Sequence, residues 1–297
     1  MKKTFLFLIV ALSFLLSGQA AEKAKHVVLI GLDGWGAYSV SKAEIPNIRK
    51  MMNEGCYTLK KRSALPSSSA INWASMFMGA GPELHGYTQW GSKVPELPSR
   101  EMTENGIFPT IFYLLHKARP EAEIGCLYEW EGIKYLVDTL ALDYHAQAPD
   151  YNKHPEALCG MAEKYIKEKT PVLLAVCFDN PDHVGHAAGH DTPEYYAKLN
   201  ELDTYVARIV QAVKDAGMFD ETIFIITADH GGINKGHGGK TMQEMETPFI
   251  ICGKNVKKGG EFSESMMQYD VASTIAYIFG LKQPQVWIGR PMKQVFK

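Results

Sequence analysis

Five short runs along the chain are almost continuous in apolar residues: "HVVLIGLDG" (26–34), "EIGCLY" (123–128), "PVLLAVCF" (171–178), "TIFIITADH" (222–230) and "PFIICG" (248–253). A strand without polar alternation is buried on both faces, as in a mostly parallel sheet covered by helices. Between these runs the period lengthens. Residues 45–55, 110–120, 155–169, 193–217 and 269–280 carry apolar side chains at helical spacing, and Gly or Pro closes several of them. No repeat, low-complexity tract or linker breaks the alternation. The pattern predicts one doubly wound α/β domain over residues 21–297, with a mostly parallel sheet and helices on both faces.

Residues 1–20 follow a different rule. Two lysines, the apolar run Phe5 to Leu16 and then Gly18-Gln19-Ala20 match a secretory signal peptide, too short for a typical membrane span. No Cys follows the apolar run, so a lipoprotein anchor is not indicated, and export to a bacterial periplasm or beyond is expected. The remainder is long enough to bury a substantial core. A net charge of −2 without any basic run argues against nucleic acid or an anionic membrane surface as main partner. The five cysteines lack metal-ligand spacing. Cys126, Cys177 and Cys252 fall inside the apolar runs and read as buried thiols, and no disulfide is predicted although export permits one.

Ligands of open α/β sheets gather at the carboxyl ends of the strands. Asp33 and the pair Asp229-His230 end two of the predicted strands, and Asp182 closely follows a third. His186 stands four residues after Asp182, one helical turn away and on the same face. His237 follows among glycines. Three acids and three imidazoles make two sets of three, each leaving a coordination position open for water or substrate, as catalytic zinc does. Imidazoles argue against calcium, while manganese or iron stays open beside zinc. Of the remaining histidines, His26, His85, His116, His145, His154 and His183 read as surface or structural residues, and His190 as a candidate supporting partner.

These elements resemble the alkaline phosphatase superfamily, and within it the nucleotide pyrophosphatase/phosphodiesterase branch. The family's first acid corresponds to "GLDGWG", its PDxxGHxxG element to "PDHVGHAAG", its TADHG element to "TADHGG" and its late histidine to "KGHGG", all in the family's order. The resemblance also identifies "LPSSSAINWASMFMGAGPELHG" (65–86) as the nucleophile segment. Pro66 and the later "GAGPELHG" fit the family offsets for Ser69, with Ser67 and Ser68 as competitors. The stretch after Ser69 is compatible with a helix, whose N-terminal dipole and free amides would favour a developing alkoxide.

The resemblance implies two divalent metal ions, with zinc expected and manganese an alternative. Asp33, Asp229 and His230 would hold one, which would also bind the Ser69 oxygen as a ligand, and Asp182, His186 and His237 the other. It further implies attack by Ser69 on phosphorus and a phospho-serine that water then cleaves. Two divalent cations against three carboxylates leave one excess positive charge, suited to an anionic phosphoryl group.

One position departs from the branch. Where its members carry an Asn that holds a phosphoryl oxygen, this chain has Trp90. Asn72 matches a different family Asn with a structural role. The expected substrate is a small phosphodiester or nucleotide pyrophosphate. A phosphate monoester is the alternative, and its extra charge would call for cationic donors, with Lys93 and Lys134 as candidate sources. A sulfatase is disfavoured, since "PSSSAIN" lacks the Cys/Ser-x-Pro-x-Arg order. Residues 87–160 are expected to supply a small substrate-side cap, where Trp73, Tyr87 and Trp90 either line a pocket or pack in the core. Leaving group and oligomeric state are not legible.

Overall fold

A computed structural model describes residues 22–297; the signal peptide read over residues 1–20 lies outside them. Strand β1 (His26–Leu32) runs through the middle of an eight-stranded sheet. The others are β2 (Cys56–Arg62), β3 (Ile124–Tyr128), β4 (Tyr144–Gln147), β5 (Leu173–Phe178), β6 (Thr222–Thr227), β7 (Glu246–Gly253) and β8 (Gly260–Glu261), in the order β4-β3-β5-β1-β6-β7-β2-β8. The five strands from β4 to β6 are mutually parallel, and β7 is antiparallel to both β6 and β2. The sheet is therefore mixed and mostly parallel, as its apolar runs required.

Alternation along each strand divides the core into two layers. Val27 and Leu29 of β1 point to one side with Ala175, Ile223 and Phe249, while Val28, Ile30 and Leu32 point to the other with Val176, Ile226 and Ile250. Helices α1 (Pro46–Glu54), α5 (Ala157–Lys169) and α7 (Pro193–Asp215) cover the second face. Helices α2 (Ser69–Met78), α4 (Ile111–Ala118) and α9 (Asp270–Ile278) cover the first, and α3 (Pro82–His85), α6 (Asp182–Ala188) and α8 (Met242–Met245) are single turns or little more. Each fully buried aliphatic side chain contributes roughly 1.5–3 kcal/mol to this two-sided burial. The free thiols Cys126, Cys177 and Cys252 are buried within it.

The segment 87–160 contributes β3, β4 and α4 to the sheet and its cover. It also carries a turn of 3-10 helix, Glu131–Tyr135, packed against α2. Among the described residues, no helix is long and apolar enough to cross a membrane.

Candidate metal centre

The carboxyl ends of β1, β5 and β6 meet at one rim, and each delivers an acid. Asp33 follows β1, and its amide bonds the Phe178 carbonyl at the end of β5 at 3.0 Å. Asp182 opens α6 just beyond β5, and its own amide bonds the Asp33 carbonyl at 3.0 Å. Gly34 makes this approach feasible. Its φ is +70°, and a Cβ there would sit 2.6 Å from Asp182 Cβ and 2.9 Å from its Cα, so a side chain would drive the two loops apart. Asp229 follows β6, and its Oδ1 accepts from the amides of Gly34 and His230 at 3.1 and 2.8 Å.

The imidazoles are oriented by one repeated device. His230 Nδ1 donates to the Gly231 carbonyl at 2.7 Å, His186 Nδ1 to the Lys235 carbonyl at 2.9 Å, and His237 Nδ1 to the Ser67 carbonyl at 3.2 Å. Each bond fixes a tautomer whose Nε2 lone pair faces the cluster. His230 Nε2 lies 3.4 Å from Asp33 Oδ1 and 3.3 Å from Asp229 Oδ2. His186 Nε2 lies 3.0 Å from Asp182 Oδ2 and 3.1 Å from His237 Nε2. The α6 turn thus sets Asp182 and His186 side by side.

Ligand atoms of Asp182, His186 and His237 lie within 4.8 Å of one another, as do those of Asp33, Asp182 and His230. Asp182 belongs to both groups, and the rings of His230 and His237 stack at 3.9 Å between them. Asp229 is in neither group and joins the cluster through its Oδ2, 3.3 Å from His230 Nε2, so that all six side chains singled out in the sequence lie together.

This donor set fits cations. Asp33 Oδ1 and Asp229 Oδ2 are buried without any hydrogen-bond partner, although an ionised oxygen left so pays a heavy desolvation cost. Burial and the neighbouring carboxylates hold Asp33 well above the usual carboxylate range, and burial pushes Asp229 up to about 7. Burial also acts on Asp182, but hydrogen bonds from His186 and His190 outweigh it and keep that carboxyl low. Burial lowers His230 and takes His237 down to about 4, so both stay neutral and able to donate a lone pair. His186 is pushed up to about 9 by its bond to Asp182, so a proton there competes with a cation for the same atoms.

Ser69 is the first residue of α2 and is buried, with Oγ 3.1 Å from His230 Nε2. Its competitors make other contacts. Ser67 Oγ donates to the Gly239 carbonyl at 2.6 Å, and Ser68 Oγ lies 3.5 Å from His237 Nδ1. Asn72 is fully buried and braces the loop before the helix, accepting from the Ala64 amide at 2.6 Å and donating to the carbonyls of Ala64, Pro66 and Ser68. That is a structural role. Trp90 lies beside the start of α2, where its carbonyl accepts from the Ala70 amide at 3.1 Å and its side chain is 68% exposed.

Several supporting residues escaped the sequence reading. Trp73 packs in the core and also donates its indole N–H to Asp33 Oδ2 at 2.9 Å. Glu244 accepts from the Gly239 amide at 2.8 Å and closes a capping box with Thr241, which braces the loop bearing His237. Nothing local marks the Trp73 role, whereas the Thr241-x-x-Glu244 spacing is that of a capping box and could have signalled the brace. His190, a turn beyond His186, sets Nε2 3.1 Å from Asp182 Oδ1 and Nδ1 3.1 Å from the Asn234 carbonyl.

The chain matches the type I phosphodiesterase / nucleotide pyrophosphatase family over residues 27–237. It is 28% identical over 169 residues to GPI ethanolamine phosphate transferase 3 of Schizosaccharomyces pombe, a match covering 54% of this chain and 18% of that protein. It therefore spans less than a fifth of that relative's length. Its fold is similar to that of murine ectonucleotide pyrophosphatase / phosphodiesterase 5 solved in complex with AMP, with TM-score 0.73 and 14% identity over 92% of this chain and all of the other. It is also similar to BT1596, a 2-O GAG sulfatase, with TM-score 0.72 and 15% identity over 92% of this chain and 74% of that one.

Proposed function

The chain belongs to the type I phosphodiesterase / nucleotide pyrophosphatase family, and from that premise we propose that it is a hydrolase of small phosphodiesters or nucleotide pyrophosphates acting through a phospho-serine. The observation that carries this reading is the contact of Ser69 Oγ with His230 Nε2 at 3.1 Å, at the edge of a cluster of carboxylates and imidazoles that Asp229 joins through His230.

Asp33, Asp229 and His230 would hold one divalent cation beside Ser69, and Asp182, His186 and His237 a second. Zinc is the first expectation from the mixed donors and manganese the second. When bound, the cations supply positive charge that favours the serine alkoxide and the anionic phosphoryl group. Ser69 Oγ attacks phosphorus as its hydroxyl proton passes to solvent water, an Oγ–P bond forms, and the bond to the leaving oxygen breaks in line. That oxygen takes up a proton from water. The start of α2 holds Oγ at the positive end of the helix dipole, which favours developing negative charge. Water then splits the Oγ–P bond and returns Ser69 to its hydroxyl form.

Residues 87–160 would furnish the substrate-side surface, and export through the N-terminal signal belongs to the same proposal. A second reading, transfer of the phosphoryl group to an alcohol, is favoured by the similarity to an ethanolamine phosphate transferase. Both share the covalent step. Acid quench during turnover of bis(4-nitrophenyl) phosphate, followed by peptide mass spectrometry, should find a 4-nitrophenyl phosphoryl group on Ser69, and added ethanolamine should divert product only if transfer operates. Turnover with that group on no serine would end the phospho-serine reading.

A further inference from the structure

The turn Glu131–Tyr135 brings two cations to one aromatic ring. Lys93 Nζ lies 5.2 Å and Lys134 Nζ 4.9 Å from the centroid of Tyr135, although the two lysines come from separate segments. Like charges brought together repel, and Glu131, exposed and bonded to Lys134, is the carboxylate that answers them. Nearby Asp138 is buried and already accepts from Asn105 Nδ2 and the Leu140 amide. A cleft of about 250 Å³ opens here, lined by both lysines, Tyr87 and Tyr135 and flanked by exposed Val94 and Leu140.

The cleft is linked to the helix that begins at Ser69. Tyr87 Oη donates to the Tyr135 carbonyl at 3.2 Å, and the 131–135 turn packs against α2. Trp90 joins its carbonyl to Ala70, the residue after Ser69. Lys93 follows Trp90 by three residues, which bounds their separation at about 10 Å. An exposed indole is therefore tied through its backbone to the residue after the nucleophile and through three residues of chain to one of the two lysines.

We propose that Lys93 and Lys134 form an anion subsite, and that the preferred phosphodiester carries a second phosphate or carboxylate on the portion lying along Trp90. This rests on the phosphodiesterase reading and adds a substrate class to it. It also assigns the two lysines to a group remote from the scissile phosphorus rather than to the extra charge of a monoester.

The test compares bis(4-nitrophenyl) phosphate with esters in which the retained ring bears a carboxylate or a phosphonate in place of the nitro group, so the leaving group is constant. Metal-loaded protein should favour the charged esters in kcat/KM by about fivefold, and 0.5 M salt should shrink the ratio. Lys93→Gln, Lys134→Gln and the double variant should bring it toward one, whereas the Lys→Arg variants should retain it. The larger of the carboxylate and phosphonate effects identifies the anion. The single variants report even where the double variant fails to fold. Calorimetry with diarylphosphinates, with and without the carboxylate, reads the subsite without turnover. Tighter binding of the charged phosphinate with no hydrolysis of any ester would sink the hydrolase reading and leave the subsite standing. Equal binding and an unchanged ratio in the Gln variants would overturn the subsite.

Discussion

His230 Nε2 lies 3.1 Å from Ser69 Oγ while its Nδ1 donates to the Gly231 carbonyl at 2.7 Å. A backbone carbonyl thereby decides which nitrogen faces the hydroxyl. Replacing Ser69 removes the proposed nucleophile and leaves that arrangement of ligands in place. Ser69→Ala is expected to lower kcat on a bis-aryl phosphate by about a thousandfold or more, with metal content unchanged by elemental analysis. Activity close to that of the parent would exclude Ser69.

Trp73 supplies the hydrogen bond that orients Asp33. Trp73→Phe keeps most of the packing and deletes the indole N–H. Such outer partners of a ligand are typically worth about 10- to 100-fold in metal affinity, and competition with a chromogenic chelator should read a loss in that range. An affinity equal to that of the parent would confine Trp73 to the core.

Much of the fold was legible because the central strands are uninterrupted apolar runs. Strand β2, "CYTLKKR", was not, since its charged residues break the apolar run, yet Lys61 is fully buried and donates to the Ala228 carbonyl at 2.8 Å. The exposed edge strand β4, "YHAQ", carries no apolar signal at all. The acids and imidazoles were visible from residue type and spacing. The Trp73 bond and the tethers of His186 and His237 were not, because each joins positions distant in the chain, and the short-range bonds of His230 to Gly231 and of Gly239 to Glu244 depend on loop conformations that only the fold sets.

Asp33 and Asp229 crowd buried carboxylates against each other, so metal binding and bare-chain stability should pull in opposite directions. Asp33→Asn removes an ionisable oxygen that has no partner. In chelator-treated protein it should raise stability by about 1–3 kcal/mol, read as the urea midpoint, while abolishing the stabilisation gained on adding zinc or manganese. A destabilised chelated variant would contradict the electrostatic account.

Glu129 sets a pH dependence away from the six ligands. Burial pushes its carboxyl from 4.5 up to about 8 while its Oε2 accepts from the Asp179 amide. The folded state thus keeps a proton that the unfolded chain has released. Its contribution is fully present below pH 4.5 and is lost as pH rises through about 8. Urea midpoints measured across that window should fall with pH, and Glu129→Gln should flatten the slope. An equal slope in the variant would assign the dependence to other groups.

The central claim is that six side chains hold a pair of divalent cations beside Ser69. An anomalous-difference map from crystals grown with zinc or manganese tests it most directly. The account predicts two peaks per chain, one about 2.0–2.2 Å from atoms of Asp33, Asp229 and His230 and one equally near Asp182, His186 and His237. A map with no peak in this pocket, under conditions where the protein hydrolyses a diester, would contradict it.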